Sequence, residues 1–134
     1  MGEYVALSKV ENALKACQYT QLPMVYAMGS KDHCIALICP NVVNLKKLAA
    51  SLGVEGELGA LCKNEAVIAA VLEDAKGTCT AAKLKKFEIP TKIVLIDDLW
   101  TPENDMLTAV QKLKRREIVA KHQSEIDKVY PPEK

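Results

Sequence analysis

The sequence predicts an α+β fold, a small and mainly antiparallel sheet of about three strands with helices packed on it. Three observations carry that expectation. A β-branched run, Lys92-Ile93-Val94-Leu95-Ile96, follows Pro90 and bears the composition of a strand. Two further apolar runs flank Gly29-Ser30-Lys31-Asp32, which is the pattern of two strands joined by a tight turn. Elsewhere apolar residues recur at helical spacing, clearest at Leu45, Leu48, Ala49 and Leu52.

Taken in order, residues 2–7 read as an extended lead-in. Ser8-Lys9-Val10-Glu11 has the spacing of a capping box, in which Ser8 accepts from the Glu11 amide and the Glu11 carboxylate reaches back. The helix it opens would place Val10, Ala13, Leu14 and Cys17 on one face. Strands are predicted over 23–28 and 33–39; both are almost continuously apolar, so each should be covered on both faces. Asn41 is placed to cap the next helix, and Gly53 stands where the residue beyond its end should be. Residues 53–59, acidic and glycine-rich, read as a surface connection. Asn64 caps a further helix carrying Val67, Ala70, Val71 and Ala75, weakened or interrupted near Gly77-Thr78 and resuming to Lys86. Beyond the strand at 92–96, Thr101-Pro102-Glu103-Asn104-Asp105 suggests an ordered turn. A last helix up to Tyr130 is indicated by Leu113, Val119, His122, Ile126 and Val129.

With 134 residues, 49% hydrophobic and 26% charged, the chain suits one domain, taken as 1–134, with a modest core. A net charge of +1 argues against a dedicated nucleic-acid binder. The five cysteines are odd in number and lack CxxC spacing, which points to free thiols in an intracellular, reducing compartment and to no metal site. Nothing resembling a signal peptide follows Met1, and no apolar run approaches the ~20 residues needed to cross a bilayer.

Charge is concentrated, however. Lys112, Lys114, Arg115 and Arg116 crowd what reads as a loop-to-helix junction, where the positive end of the macrodipole disfavours cations. Lys112 in particular ends a polar loop, from which an ammonium on a flexible stem can swing onto a phosphate or carboxylate, with helix amides adding donors. No GxGxxG, P-loop, GxSxG or HExxH is present, so the residues alone support an anion-handling loop.

The order of Phe87-Glu88-Ile89-Pro90, the strand at 92–96, Trp100-Thr101-Pro102-Glu103, Leu107-Thr108 and Lys112-Leu113-Lys114-Arg115 resembles the end of the eukaryotic long-chain fatty acyl-CoA synthetases. Gly2-Glu3-Tyr4-Val5-Ala6-Leu7, with Val10-Glu11-Asn12-Ala13-Leu14, resembles the segment just past their inter-domain hinge, and Val54-Glu55-Gly56 fits between. The resemblance spans the chain and implies the small, mobile C-terminal domain of an adenylate-forming enzyme, partnered with an N-terminal adenylation domain of the same polypeptide. It implies a ligase that uses fatty acid, ATP with Mg2+, and CoA, with Mg2+ bound outside this domain. Lys112 matches the catalytic lysine of the adenylation step. Gly2, Glu3 and Tyr4 match the segment lining the CoA path, and Lys114, Arg115 and Arg116 are candidates for the CoA phosphates. Two residues depart from the pattern. Gln111 replaces the Gly common before the lysine in the superfamily, and Val110 stands where a small hydroxyl residue is common, which keeps Lys114 as a second candidate. Membrane association of the intact enzyme is expected only through other parts. The competing reading is a non-catalytic module that binds anionic partners or acidic membrane surfaces through its basic face.

Overall fold

The computed structural model describes residues 7–27 and 34–129, the Phe87 side chain excepted. The predicted turn at 29–32 and the segment Gly2-Glu3-Tyr4 lie outside these residues. The chain gathers into two compact units, 1–97 and 98–134. The first unit holds α1 (Leu7–Leu14), β1 (Thr20–Tyr26), β2 (Ile35–Pro40), α2 (Val42–Ser51), α3 (Leu58–Lys63), α4 (Glu65–Ala81) and β3 (Lys92–Leu95). The second holds α5 (Arg115–Lys121) and α6 (Gln123–Val129).

The fold is α+β with a three-stranded sheet in the order β1-β2-β3. β1 and β2 pair antiparallel over six positions, from Thr20↔Pro40 to Tyr26↔Ile35. β3 joins β2 in parallel over four, Ile35↔Lys92 to Ile38↔Leu95. The parallel pairing is available because three helices lie between these strands, and a parallel neighbour requires a long crossover. β2 is the centre of the sheet and every one of its residues is buried, as its continuous apolar run predicts.

One core cluster joins Ala36 and Ile38 of β2 with Val10 and Leu14 of α1, Leu45 and Ala49 of α2, and a stripe on α4. The stripe is Val67, Val71, Ala75 and Cys79, four residues apart each time, and Ile68 and Leu72 beside it are partly buried against the same core. Glu11 departs from its predicted role. α1 already begins at Leu7, so Ser8 lies inside the helix. The Glu11 carboxylate is buried and accepts from the Val25 amide at 2.7 Å. That amide points outward from the edge strand β1, and a buried donor without a partner would cost more than a helix cap returns. Pro23, two residues earlier on the same side of the strand, has no N–H to satisfy, which is why proline is tolerated there.

The helix ends follow local chemistry closely. Asn41 Oδ1 accepts from the Asn44 amide at 3.1 Å, opening α2. At its far end Gly53 takes φ +74°. Val54 donates to Ala49 O at 2.8 Å and Gly53 to Ala50 O at 3.1 Å, the paired bonds of a Schellman motif. The connection predicted over 53–59 is shorter than expected, because α3 begins at Leu58 and buries Leu61 and Cys62. Asn64 then stops α3 and caps α4, accepting from Ala66 at 2.9 Å and Val67 at 3.1 Å. α4 runs through Gly77 without a break and stops at Ala81.

Candidate functional site

The second unit builds a presented loop from short polar residues. The Asn104 side chain is its pin. Its oxygen accepts from the amides of Thr101 at 2.9 Å and Met106 at 3.2 Å, and its nitrogen donates to Leu99 O at 2.8 Å. Thr101 Oγ1 returns a bond from the Asn104 amide at 3.2 Å. Side-chain bonds of this kind let a turn hold its shape without a helix or ladder to complete it. Met106 and Leu107 are buried behind it.

From there the chain doubles back. Leu107 bridges Leu113 antiparallel, and Lys114 donates to Met106 O at 3.0 Å. The tip is a three-residue loop, Ala109-Val110-Gln111, closed by Thr108 donating to Lys112 O at 2.8 Å and Gln111 donating to Thr108 O at 2.8 Å. Gln111 takes φ +68°, as a tight hairpin loop of this length requires of its last residue. Thr108 Oγ1 accepts from the Lys112 amide at 3.1 Å, a second bond between the same two residues.

The cations are thereby sorted. Lys112 is exposed, and its ammonium has no carboxylate partner among the described residues. Lys114, the second candidate, is paired with Asp105, and the hydrogen bond to that carboxylate holds its ammonium above the usual lysine range. Arg115 and Arg116 open α5. The predicted junction therefore needs correcting. The last helix begins at Arg115, because backbone pairing to residues 106–108 keeps 112–114 extended, and Lys112 rides on the hairpin and not on a helix end. That helix is also two helices, divided at His122. The Trp100 indole donates to His122 Nε2 at 3.3 Å, and Glu125 lies 3.3 Å from Nδ1. Trp100 and His122 are both buried, so Trp100 is a packing anchor of this unit. Gly2, Glu3 and Tyr4 lie outside the described residues.

Two participants are not expected from the sequence pattern above. Asp105 reads there as a turn residue, although an acid at a polar turn within reach of a basic run is a recognisable partner. Thr108 stood out only by similarity, and its spacing of four from Lys112 is the available signal for a side-chain-to-backbone clasp.

No protein-family model matches the chain. Long chain acyl-CoA synthetase 8 of Arabidopsis thaliana is 40% identical over 130 residues, covering 96% of this chain and 18% of that protein. Long-chain-fatty-acid–CoA ligase 4 of Saccharomyces cerevisiae is 36% identical over 132 residues, with 96% and 19% covered. The chain thus spans about a fifth of the length of the curated relatives it matches. Among solved structures, the adenylation domain of a carboxylate reductase from Mycobacterium chelonae aligns at TM-score 0.81 and 21% identity, over 98% of this chain and 18% of that one. The A domain of a carboxylic acid reductase from Segniliparus rugosus, solved with AMP and a carboxylic acid, aligns at 0.80 and 24%, over 96% and 18%. At that identity the two structures speak to the fold. The sequence relatives covering this chain are long-chain acyl-CoA synthetases, and the chain fits a C-terminal part of such an enzyme.

Proposed function

We propose that this chain works as the C-terminal domain of a long-chain fatty acid–CoA ligase and supplies Lys112 to its first half-reaction. In that step a fatty acid carboxylate attacks the α-phosphorus of ATP, giving acyl-adenylate and pyrophosphate. The CoA thiol then attacks the acyl carbonyl of the mixed anhydride, giving acyl-CoA and releasing AMP. Negative charge gathers between the carboxylate and the α-phosphate in the first step, and an ammonium already in place stabilises it without reorganisation. The observation that carries the assignment is the contrast between the two lysines. Lys112 is displayed on a pinned hairpin with no carboxylate partner for its ammonium among the described residues, and Lys114 is occupied by Asp105. The left-handed Gln111 is compatible with the same register, since it fills the position where the general superfamily pattern has glycine and long-chain relatives often have an aromatic.

For the second step the domain rotates, bringing Gly2-Glu3-Tyr4 to line the path of the CoA arm. Gly2 suits that place because a residue without Cβ lets a ligand approach the backbone. Lys114, Arg115 and Arg116 contact the CoA phosphates or orient the domain. Mg2+ is assigned, with the ATP it accompanies, to the N-terminal domain. The 134-residue chain alone is accordingly inactive, with fatty acid and ATP held mainly by the N-terminal domain.

The test is the Lys112→Ala variant of the intact synthetase. Adenylation, read as fatty-acid-dependent pyrophosphate release, should fall by about 10²–10³-fold, the scale seen when one preorganised charge-stabilising donor is removed. Thioester formation from supplied acyl-adenylate and CoA should stay close to the parent rate. Adenylation at the parent rate would remove Lys112 from the mechanism.

A further inference from the structure

We infer that Thr108 is the positioning residue for Lys112, an inference that rests on the reading of Lys112 just given. An ammonium at the end of four rotatable bonds can be aimed only if its own Cα is fixed, and the Lys112 Cα stands on a loop tip in solvent. Its neighbours on the tip do little to fix it. Ala109 and Val110 are exposed, with Val110 72% open to solvent, and Gln111 is exposed in a left-handed conformation. What holds Lys112 is Thr108. The Thr108 amide donates to Lys112 O at 2.8 Å, and its hydroxyl accepts from Lys112 N at 3.1 Å. Both backbone polar groups of Lys112 are thus bound by one residue. Thr108 in turn accepts from Gln111 N at 2.8 Å, which closes the loop. It directly follows Leu107, which is buried and bridged to Leu113. The clasp therefore ties Lys112 to the packed base of the hairpin.

Of the clasp's bonds only the hydroxyl one depends on the side chain, which makes it separable from the fold. Thr108→Val keeps the β-branched shape and every backbone bond and deletes the acceptor. The Lys112 amide then turns to water, and the hairpin tip samples orientations that do not deliver the ammonium. Because the group delivered acts in one half-reaction, the loss should be confined to that half-reaction and should appear in kcat. Binding of ATP and fatty acid, assigned to the rest of the enzyme, should hold KM.

The experiment uses the intact synthetase with Thr108→Val, Thr108→Ser and Lys112→Ala, assayed for both half-reactions beside thermal unfolding. Thr108→Val should lower the adenylation kcat about fivefold, one neutral hydrogen bond's worth, with KM for ATP and the thioester step near parent values. Thr108→Ser, which restores the acceptor, should recover most of the rate. If Thr108→Val adenylates at the parent rate where Lys112→Ala does not, the positioning role is wrong and the Lys112 assignment stands. A loss shared equally by both half-reactions, or one that serine does not recover, reduces Thr108 to a structural residue and also overturns the inference. If Lys112→Ala itself adenylates normally, the underlying reading falls and the inference with it.

Discussion

Gln111 holds φ +68°, where a residue with a side chain is less stable by about 1–2 kcal/mol and glycine is at ease. Gln111→Gly should therefore leave the melting temperature unchanged or slightly higher, since relief of strain is opposed by the greater freedom of glycine in the unfolded chain. Gln111→Val, β-branched, should cost more than about 1 kcal/mol. Thermal unfolding of the pair decides it, and a valine variant as stable as the parent would show that the loop is not strained. The sequence shows the departure from glycine at this position but not its meaning, because the sign of φ is set by the closure of the hairpin. Glu11 teaches the same lesson in reverse. Its spacing from Ser8 satisfies a local rule, yet the buried amide of Val25, distant in sequence, claims the carboxylate.

At the scale of elements, agreement is best where start and stop signals are single residues. Asn41, Gly53 and Asn64 act in the structure as they read in the sequence. α3 was not legible, since six residues are too few for a periodicity to show beside two glycines. The interruption expected at Gly77 does not occur because one glycine in a seventeen-residue helix costs only about 1 kcal/mol, and the stripe from Val67 to Cys79 is packed on both sides of it. The short 3-10 turn Lys86–Glu88 gives a pH prediction. Glu88 accepts from the Lys85 amide at 2.9 Å and pairs with Lys9 at 3.2 Å, and the amide bond above all holds its carboxyl below the usual glutamate range. A folded pKa below the unfolded one means that the stabilisation is whole above the ordinary value of about 4.3 and fades as pH falls through the folded value. Denaturant unfolding between pH 7 and pH 3 should show this acid loss, and Glu88→Gln should flatten it. An unchanged slope in that variant would assign the loss to other carboxylates.

For the whole molecule, the fold class and the three strands were legible because apolar periodicity reports which faces are buried. The parallel direction of β3 was not, since Ile93 and Leu95 alternate inward in either direction and nothing local records which partner strand they meet. Nor was the hairpin beneath Lys112, whose backbone bonds between residues 106–108 and 112–114 leave no periodicity in the sequence. All five cysteines are buried. Burial pushes the thiols of Cys62 and Cys79 up to about 11 and that of Cys34 to about 12. The thiolate is the reactive form, so native protein at pH 8 should resist alkylation and react at all five sites only in denaturant. Rapid labelling of the folded chain would contradict the burial.

The bond from Val25 to Glu11 also has a bearing on association between molecules. β1 is an outer strand, and its outward amide is the kind of group through which sheets of separate chains join. Glu11 occupies that donor and places a carboxylate along the edge, and Pro23 has already removed the neighbouring one. α1 is thus a guard against intermolecular strand pairing as well as a contributor to the core. Glu11→Ala, which keeps Val10 and Leu14 in the core, would leave the Val25 amide as an open donor through which strands of separate molecules can pair.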